Sequence, residues 1–427
     1  MGCGVSSEGK LFIACENGHV DAVRLLLEKG AAVDRAEENG FTPLFVACWH
    51  GHVDAARLLL DNGAAVDRAD EEDGQTPLYV ACKNGHVDVA RLLLDKGAEI
   101  DRATKDGWTP LHAACHGGHV DAARLVLEKG ADVDRATEYG STPLYVACNG
   151  GHVDAAQLLL DNGADVNRVK NNNGATPLFI ACCAGYVDTA RLLLENGAEV
   201  DRADHRGETP LFIACSNGHV DAARLLLEKG AAVDRAKEDG ATPLHVACEK
   251  GHVDVMRLLL DKGAAVDRAL VPANFDDAAT RLGEALALPE GLLNELWRVP
   301  DPERGQTPLL IACNEGHVDA VKLLLDRGAE VDRGDEIGQT PLYIACENGH
   351  VDAARLLLDK GAEVDRAMKD GQTPLFAACF KGDVDVARLL LEKGATVDQV
   401  TDWGTPLQLA KNGGHSSLVA LLEKHRK

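Results

Sequence analysis

The sequence predicts an all-α fold, a solenoid of stacked helix-turn-helix units with projecting β-turn fingers, about 12 regular units plus one degenerate unit. Three observations predict it. Thr-Pro-Leu recurs with its threonine at Thr42, Thr76, Thr109, Thr142, Thr176, Thr209, Thr242, Thr307, Thr340, Thr373 and Thr405, at spacings of 32 to 34 residues except for 65 between Thr242 and Thr307. Behind almost every Thr-Pro-Leu come a Gly-His pair and then a Leu-Leu-Leu run in the same register. No linker or low-complexity stretch breaks the 427 residues. A repeat of this length is one small supersecondary unit that buries its apolar faces only against its neighbours.

The unit Glu37–Ala69 serves as specimen. Thr42 can cap a helix through its hydroxyl, and Pro43 suits the first helical position because its missing N–H would have no partner there. A short helix therefore starts at Pro43 and stops at Gly51. A second runs from about Val53 to Asn62 and ends at Gly63. Leu58, Leu59 and Leu60 in a row, with Val53 and Ala56 behind them, make the second helix apolar on more than one stripe, so it needs neighbours on two sides. The stretch from Ala64 to the next Thr-Pro is rich in Asp, Glu and Gly and reads as a solvated turn projecting from the stack.

Gly-x-Thr-Pro-Leu-x-x-Ala, then Gly-His, then Leu-Leu-Leu-x-x-Gly-Ala resembles the ankyrin repeat over roughly residues 7–425. The histidine usual after Thr-Pro-Leu in that family stands only at His112 and His245. Elsewhere the position is mostly aromatic, as at Phe12, Phe45, Tyr79, Tyr145, Phe179, Phe212, Tyr343 and Phe376. The resemblance implies a non-enzymatic scaffold or adaptor whose partner meets the concave face formed by the fingers and first helices. An alternative is the regulatory ankyrin portion of a larger enzyme or channel polypeptide.

The chain divides into a leader, 1–10, repeats over 11–267, an irregular stretch, 268–304, and repeats over 305–427 with a polar C-terminal cap. The irregular stretch keeps the length of a unit without its motif. Leu282, Leu286, Leu292, Leu293, Leu296 and Trp297 recur at helical spacing there. It is expected to be a degenerate ninth unit that keeps the stack continuous, and the competing reading is a helical insert at a junction between two stacks.

Lys plus Arg number 44 against 68 Asp plus Glu, a net charge of −24. Nucleic acid is thereby a poor partner, and basic or neutral protein surfaces suit the chain better. No apolar run reaches the twenty or so residues of a membrane span, and no secretory signal is present, so a cytoplasmic, monomeric protein is expected. Eleven of the 13 cysteines occupy one position of the unit, after the first helix's alanine. Equivalent positions lie about 10 Å apart, beyond the roughly 7 Å Cα separation that a disulfide tolerates, so these are buried core thiols. Ten of the 16 histidines sit in the Gly-His corner, one per layer, where hydrogen bonding rather than metal ligation is expected. Aspartates recurring in Val-Asp-Ala-Ala-Arg and Val-Asp-Arg-Ala read as solvated surface paired locally with arginine. An active site is a single unrepeated place, so no catalytic residue, metal or cofactor is expected.

Residues that differ between units carry identity. Phe41, Trp49, His50, Trp108, His116 and Tyr139 form one candidate partner-binding group, and Phe380, Lys381 and Trp403 a second. Exposed aromatics often contribute ~2 kcal/mol or more each to binding. Met1-Gly2-Cys3-Gly4-Val5-Ser6-Ser7 matches the signal for myristoylation of Gly2, with Cys3 placed for palmitoylation. Two acyl chains would hold the protein at the cytoplasmic face of a membrane, whereas one binds only marginally.

Overall fold

A computed structural model describes residues 7–271, 305–401 and 403–426. The chain falls into two units, Met1–His205 and Arg206–Lys427. The first holds six helical hairpins: α1 (Ser7–Glu16) with α2 (Val20–Glu28), α3 (Pro43–Trp49) with α4 (Val53–Asp61), α5 (Pro77–Lys83) with α6 (Val87–Asp95), α7 (Pro110–His116) with α8 (Val120–Glu128), α9 (Pro143–Asn149) with α10 (Val153–Asp161), and α11 (Pro177–Ala184) with α12 (Val187–Glu195). Among the described residues the second unit also holds six: α13 (Pro210–Ser216) with α14 (Val220–Glu228), α15 (Pro243–Lys250) with α16 (Val253–Asp261), α17 (Pro308–Asn314) with α18 (Val318–Asp326), α19 (Pro341–Glu347) with α20 (Val351–Asp359), α21 (Pro374–Lys381) with α22 (Val384–Glu392), and α23 (Pro406–Asn412) with α24 (Ser416–His425). Within each unit, first helices pack on first helices and second on second.

The Thr-Pro start works as its chemistry requires. Thr42 Oγ1 accepts from the Phe45 N–H at 3.1 Å, Thr76 from Tyr79 at 3.2 Å and Thr209 from Phe212 at 3.1 Å, while the proline takes the first helical position. At the corner, the imidazole reaches back one layer and donates from Nε2 to the last carbonyl region of the preceding first helix. His52 meets Glu16 O at 3.0 Å, His86 meets Trp49 O at 3.0 Å, and His350 meets Asn314 O at 2.9 Å. The ring lies on the glycine of that preceding corner. Gly51 has φ +76°, and a Cβ there would stand 2.6 Å from His86 Nδ1, so both conformation and contact demand glycine. Two layers depart from this. Tyr186 lays its ring over Gly151 instead, and Asp383 turns inward to accept from the Asp385 and Val386 N–H groups, capping its own helix.

The Val-Asp-Arg-Ala aspartates correct the expectation of plain solvated surface. Asp34 accepts the Ala65 N–H on both carboxylate oxygens at 3.1 Å, Asp134 does the same for Asp165, and Asp332 binds the Glu363 N–H at 3.1 and 3.2 Å. They clasp one layer to the next. The finger turns are tied in the same direction, with the Lys105 N–H donating to Asp73 O at 2.9 Å and the Glu138 N–H to Asp106 O at 3.2 Å. The eleven in-register cysteines are buried thiols outside any disulfide, as their register implied.

The 65-residue gap is closed directly. Helix α15 packs on α17 and α16 on α18. His317 bonds Glu249 O at 3.0 Å as the corner histidine of a neighbouring layer would, and Asp267 clasps the Glu330 N–H at 3.1 and 3.3 Å. Chain leaves and returns at one point, where the Leu270 N–H donates to Gln306 O at 2.8 Å and the Gly305 N–H to Leu270 O at 3.0 Å. The described layers of Thr242 and Thr307 thus pack on each other directly, and the segment expected to be a degenerate ninth unit or a helical insert falls between them in the chain. Residues 272–304 themselves lie outside the described residues.

One layer carries an avoidable cost. Thr189 in α12 is fully buried with its hydroxyl unpartnered, where equivalent positions hold Ala55, Val89, Ala122 or Val255. A buried hydroxyl without a hydrogen bond costs about 1–3 kcal/mol. Thr189→Val keeps the shape and is expected to raise the thermal midpoint, with a gain of about 1 kcal/mol in denaturant melts; a lowered midpoint would contradict the assignment.

Candidate functional site

The first candidate group lies in the unit Met1–His205 along the ends of successive first helices and the fingers before them. Phe41 stacks on Phe45 with ring centroids 4.6 Å apart and an interplanar angle of 8°. Trp49, four residues on and so one turn further, leans on Phe45 at 6.0 Å and receives Lys83 Nζ from the next layer 5.5 Å above its ring. Trp108 covers His112 at 5.7 Å and meets His116 edge-on at 5.6 Å. These rings therefore pack on their own layers and remain partly open to solvent, Trp49 at 37 %.

Trp108 and His116 form one wall of a depression of about 340 Å³ shared with Tyr79, Lys83, Gln75 and Asp106. Lys83 thus joins the Trp49 ring to the Trp108 depression. Beside it, Lys105 Nζ donates to Glu71 O at 2.6 Å and Glu72 O at 2.7 Å, holding the longer finger in place. His50 stands exposed beyond the helix end, its ring 6.0 Å from that of His52. Tyr139 does not join the group: it is 57 % exposed at the tip of the turn that the Gly140 N–H closes on Thr137 O.

The second group lies in Arg206–Lys427. Phe380 and Trp403 line one depression of about 190 Å³, and Lys381 stands at its edge, 3.7 Å from Glu347. Another depression, about 400 Å³, contains none of the candidate partner-binding residues. It lies around Glu208, Lys237 and His245 near the Leu270–Gln306 crossing, and its charges are engaged with each other. Lys237 Nζ sits 2.8 Å from Asp239 and 5.5 Å above the Phe212 ring, while Lys250 pairs with Glu249 at 2.7 Å. Sequence reasoning missed Tyr79, Lys83, Tyr343 and Glu347. Lys83 and Glu347 occupy the same position of the unit as Trp49 and Phe380, one layer away, so the register itself was the available signal.

Burial dominates the titration of the interior. It lowers His112 to about 4, its Nδ1 accepting from the Thr109 N–H at 3.2 Å and its Nε2–H donating to Ser141 O at 3.0 Å. Desolvation pushes the Cys15, Cys82 and Cys379 thiols up to about 12. Among the described residues no group of three His, Cys, Asp or Glu side chains could hold a metal ion, and no helix is long and apolar enough to cross a membrane. Gly2 and Cys3 lie outside the described residues.

Stacked helical hairpins that present varied side chains from an invariant frame define a repeat-built protein-interaction module. A model for ankyrin repeats in sets of 3 copies matches residues 6–70, 65–137, 134–204, 199–269 and 284–368, and a single ankyrin repeat matches 370–402, so the chain belongs to the ankyrin-repeat family. Cortactin-binding protein 2 of Rattus norvegicus is 55% identical to it over 42 residues, which is 10% of this chain. The matched segment is 2% of that relative's length, so the likeness extends to the repeat and not to the whole protein.

Proposed function

We propose that this chain is a non-enzymatic scaffold that holds a protein partner with a basic or neutral surface on the finger and first-helix face of Met1–His205. The observation that carries this reading is the join between two aromatic positions through Lys83, from the Trp49 ring to the Trp108–His116 depression. Large rings already fixed by packing lose little entropy on binding, which is the property of interface anchors. Affinity capture with the intact chain identifies the partner, and the measured affinity is then compared with that of Trp49→Ala and Trp108→Ala. Each substitution is expected to weaken binding roughly 30-fold, corresponding to ~2 kcal/mol. Unchanged affinity in both, with unchanged thermal midpoints, would sink the assignment.

The Met1–Ser7 motif adds a membrane tether to this reading. With acyl chains on Gly2 and Cys3 the scaffold would fractionate with membranes, and Gly2→Ala is expected to release it to the supernatant. Equal partitioning of the two proteins would reject the tether.

A further inference from the structure

The depression lined by Phe380 and Trp403 differs from its counterparts in the other layers for a reason visible in the chain. Thr373 and Thr405 are 32 residues apart, the shortest spacing of the series, so the last finger is the shortest. It closes as a tight turn: the Thr401 N–H donates to Gly404 O at 3.1 Å, the Trp403 N–H donates to Thr401 Oγ1 at 3.2 Å, and Gly404 takes φ +106°. Trp403 is thereby carried over the face of α21 and α23. Phe380, at the end of α21, forms the opposite wall. Phe380 is 64 % exposed and Trp403 69 %, while the floor, Phe376, Ala377 and Tyr343, is buried.

The polar groups at this site are already committed to one another. Tyr343 Oη donates to Gln372 Oε1 at 3.0 Å, and Gln372 Nε2 donates to Asp370 Oδ2 at 2.6 Å. The chain of bonds fixes the phenol and leaves the cavity a largely apolar lining of Phe376, Phe380, Trp403 and Leu409. About 190 Å³ is the space of roughly six waters, or of one large side chain, and waters there would find few partners. Charge at the rim is negative. Burial and then the Glu347 and Asp370 carboxylates push the Tyr343 phenol up, so both carboxylates act on the site. Lys381 stands 3.7 Å from Glu347, a loose contact between side chains that are 46 % and 33 % exposed.

We infer that this cavity is a peptide-anchor site: it takes one large apolar side chain, Trp, Phe or Leu, from an extended segment that carries a lysine or arginine beside it for Glu347. Phe380 and Trp403 come from successive layers, so a segment whose anchor enters the cavity also lies across both exposed rings. The apolar side chain supplies burial, and the cation selects against acidic segments, which the rim repels. All the residues belong to Arg206–Lys427, so the site is independent of the Trp49 and Trp108 surface, and the two can fail separately.

A random peptide library displayed on phage, selected on the full chain and counter-selected on Phe380→Ala/Trp403→Ala, tests this. Both side chains are exposed, so the double variant is expected to keep the thermal midpoint. Peptides enriched on the native chain are expected to pair a large apolar residue with a nearby lysine or arginine. As synthetic peptides they should bind the double variant about 30-fold more weakly, and Glu347→Gln about threefold more weakly, with no loss for an uncharged version of the same peptide. Enrichment of acidic peptides, equal binding to the double variant, or no saturable enrichment would each overturn the inference.

Discussion

Cys82→Ala is expected to cross over with pH: less stable than the native chain near neutrality, more stable at about pH 11. Cys82 is wholly buried, and desolvation pushes its thiol from 9.0 up to about 12. A thiol raised in the folded state keeps its proton there while the unfolded chain loses it. Its contribution to stability is therefore complete below about pH 9 and declines as pH rises toward 12, by up to about 4 kcal/mol. Alanine leaves a smaller side chain in the core, which costs ~1 kcal/mol at every pH but nothing extra in alkali. At about pH 11 the native thiol has forfeited ~2.7 kcal/mol, which reverses the order of the two proteins. Burial raises Cys15, Cys48, Cys115, Cys148, Cys182, Cys248, Cys313, Cys346 and Cys379 in the same way. Some also feel a neighbour: Cys115 is raised further by Cys82, and Cys148 by Cys115 and Cys182, once burial has acted. Tyr79 and Tyr145, buried phenols raised to about 12, add to the same slope. Circular dichroism melts of both proteins across this range measure the crossing; parallel curves would mean that the thiols titrate in place.

Position in the repeat made the thiols legible before any coordinates, because one register fixes one environment for all of them. The corner histidines were legible as hydrogen-bonding groups, but not their partners. His86 bonds a carbonyl 37 residues earlier, and only stacking brings the two together. Asp34 and its counterparts were misread for a different reason. The same Val-Asp dipeptide opens a second helix at Asp54, in solvent, and ends a finger at Asp34, on the next layer's N–H, so composition alone gives them one meaning. At 268–304 the matching length was the signal for a further unit; the Asp267–Glu330 clasp joins the described flanking layers, and residues 272–304 lie outside the described ones. Of the candidate aromatics, those at helix ends were placed by the helical period. Tyr139 and Trp403 belong to fingers, where one residue more or less redirects the side chain. That difference leaves Tyr139 exposed at a turn tip and places Trp403 in the wall of the 190 Å³ depression.

Acid should open the layer built on His112 as the imidazole gains its proton in the unfolded chain. Nearly all of this imidazole is out of water, and burial lowers it from 6.5 to about 4, with Arg135 acting in the same direction. The neutral ring is held at both nitrogens. Nδ1 accepts the Thr109 N–H, so the proton is on Nε2, where it goes to Ser141 O. A second proton on Nδ1 would face that same N–H and break the cap. Because the folded value is depressed, the contribution is present above about pH 6.5 and is lost as pH falls toward 4, at up to about 3.4 kcal/mol. His245, also lowered to about 4 by burial, loses stability in the same window. Shifted carboxylates contribute as well: burial raises Asp134 and Asp332, and the hydrogen bonds from Lys96 and Lys360 lower Asp61 and Asp326. Between about pH 6 and 4.5 both histidines gain protons on unfolding, so their share is read there by replacing them. Other layers supply the control residue, since Phe45, Phe179 and Phe212 fill the same position with no proton to gain. His112→Phe/His245→Phe is expected to hold its denaturant midpoint over that interval while the native chain's falls; a native midpoint as flat as the variant's would show that neither ring charges on unfolding.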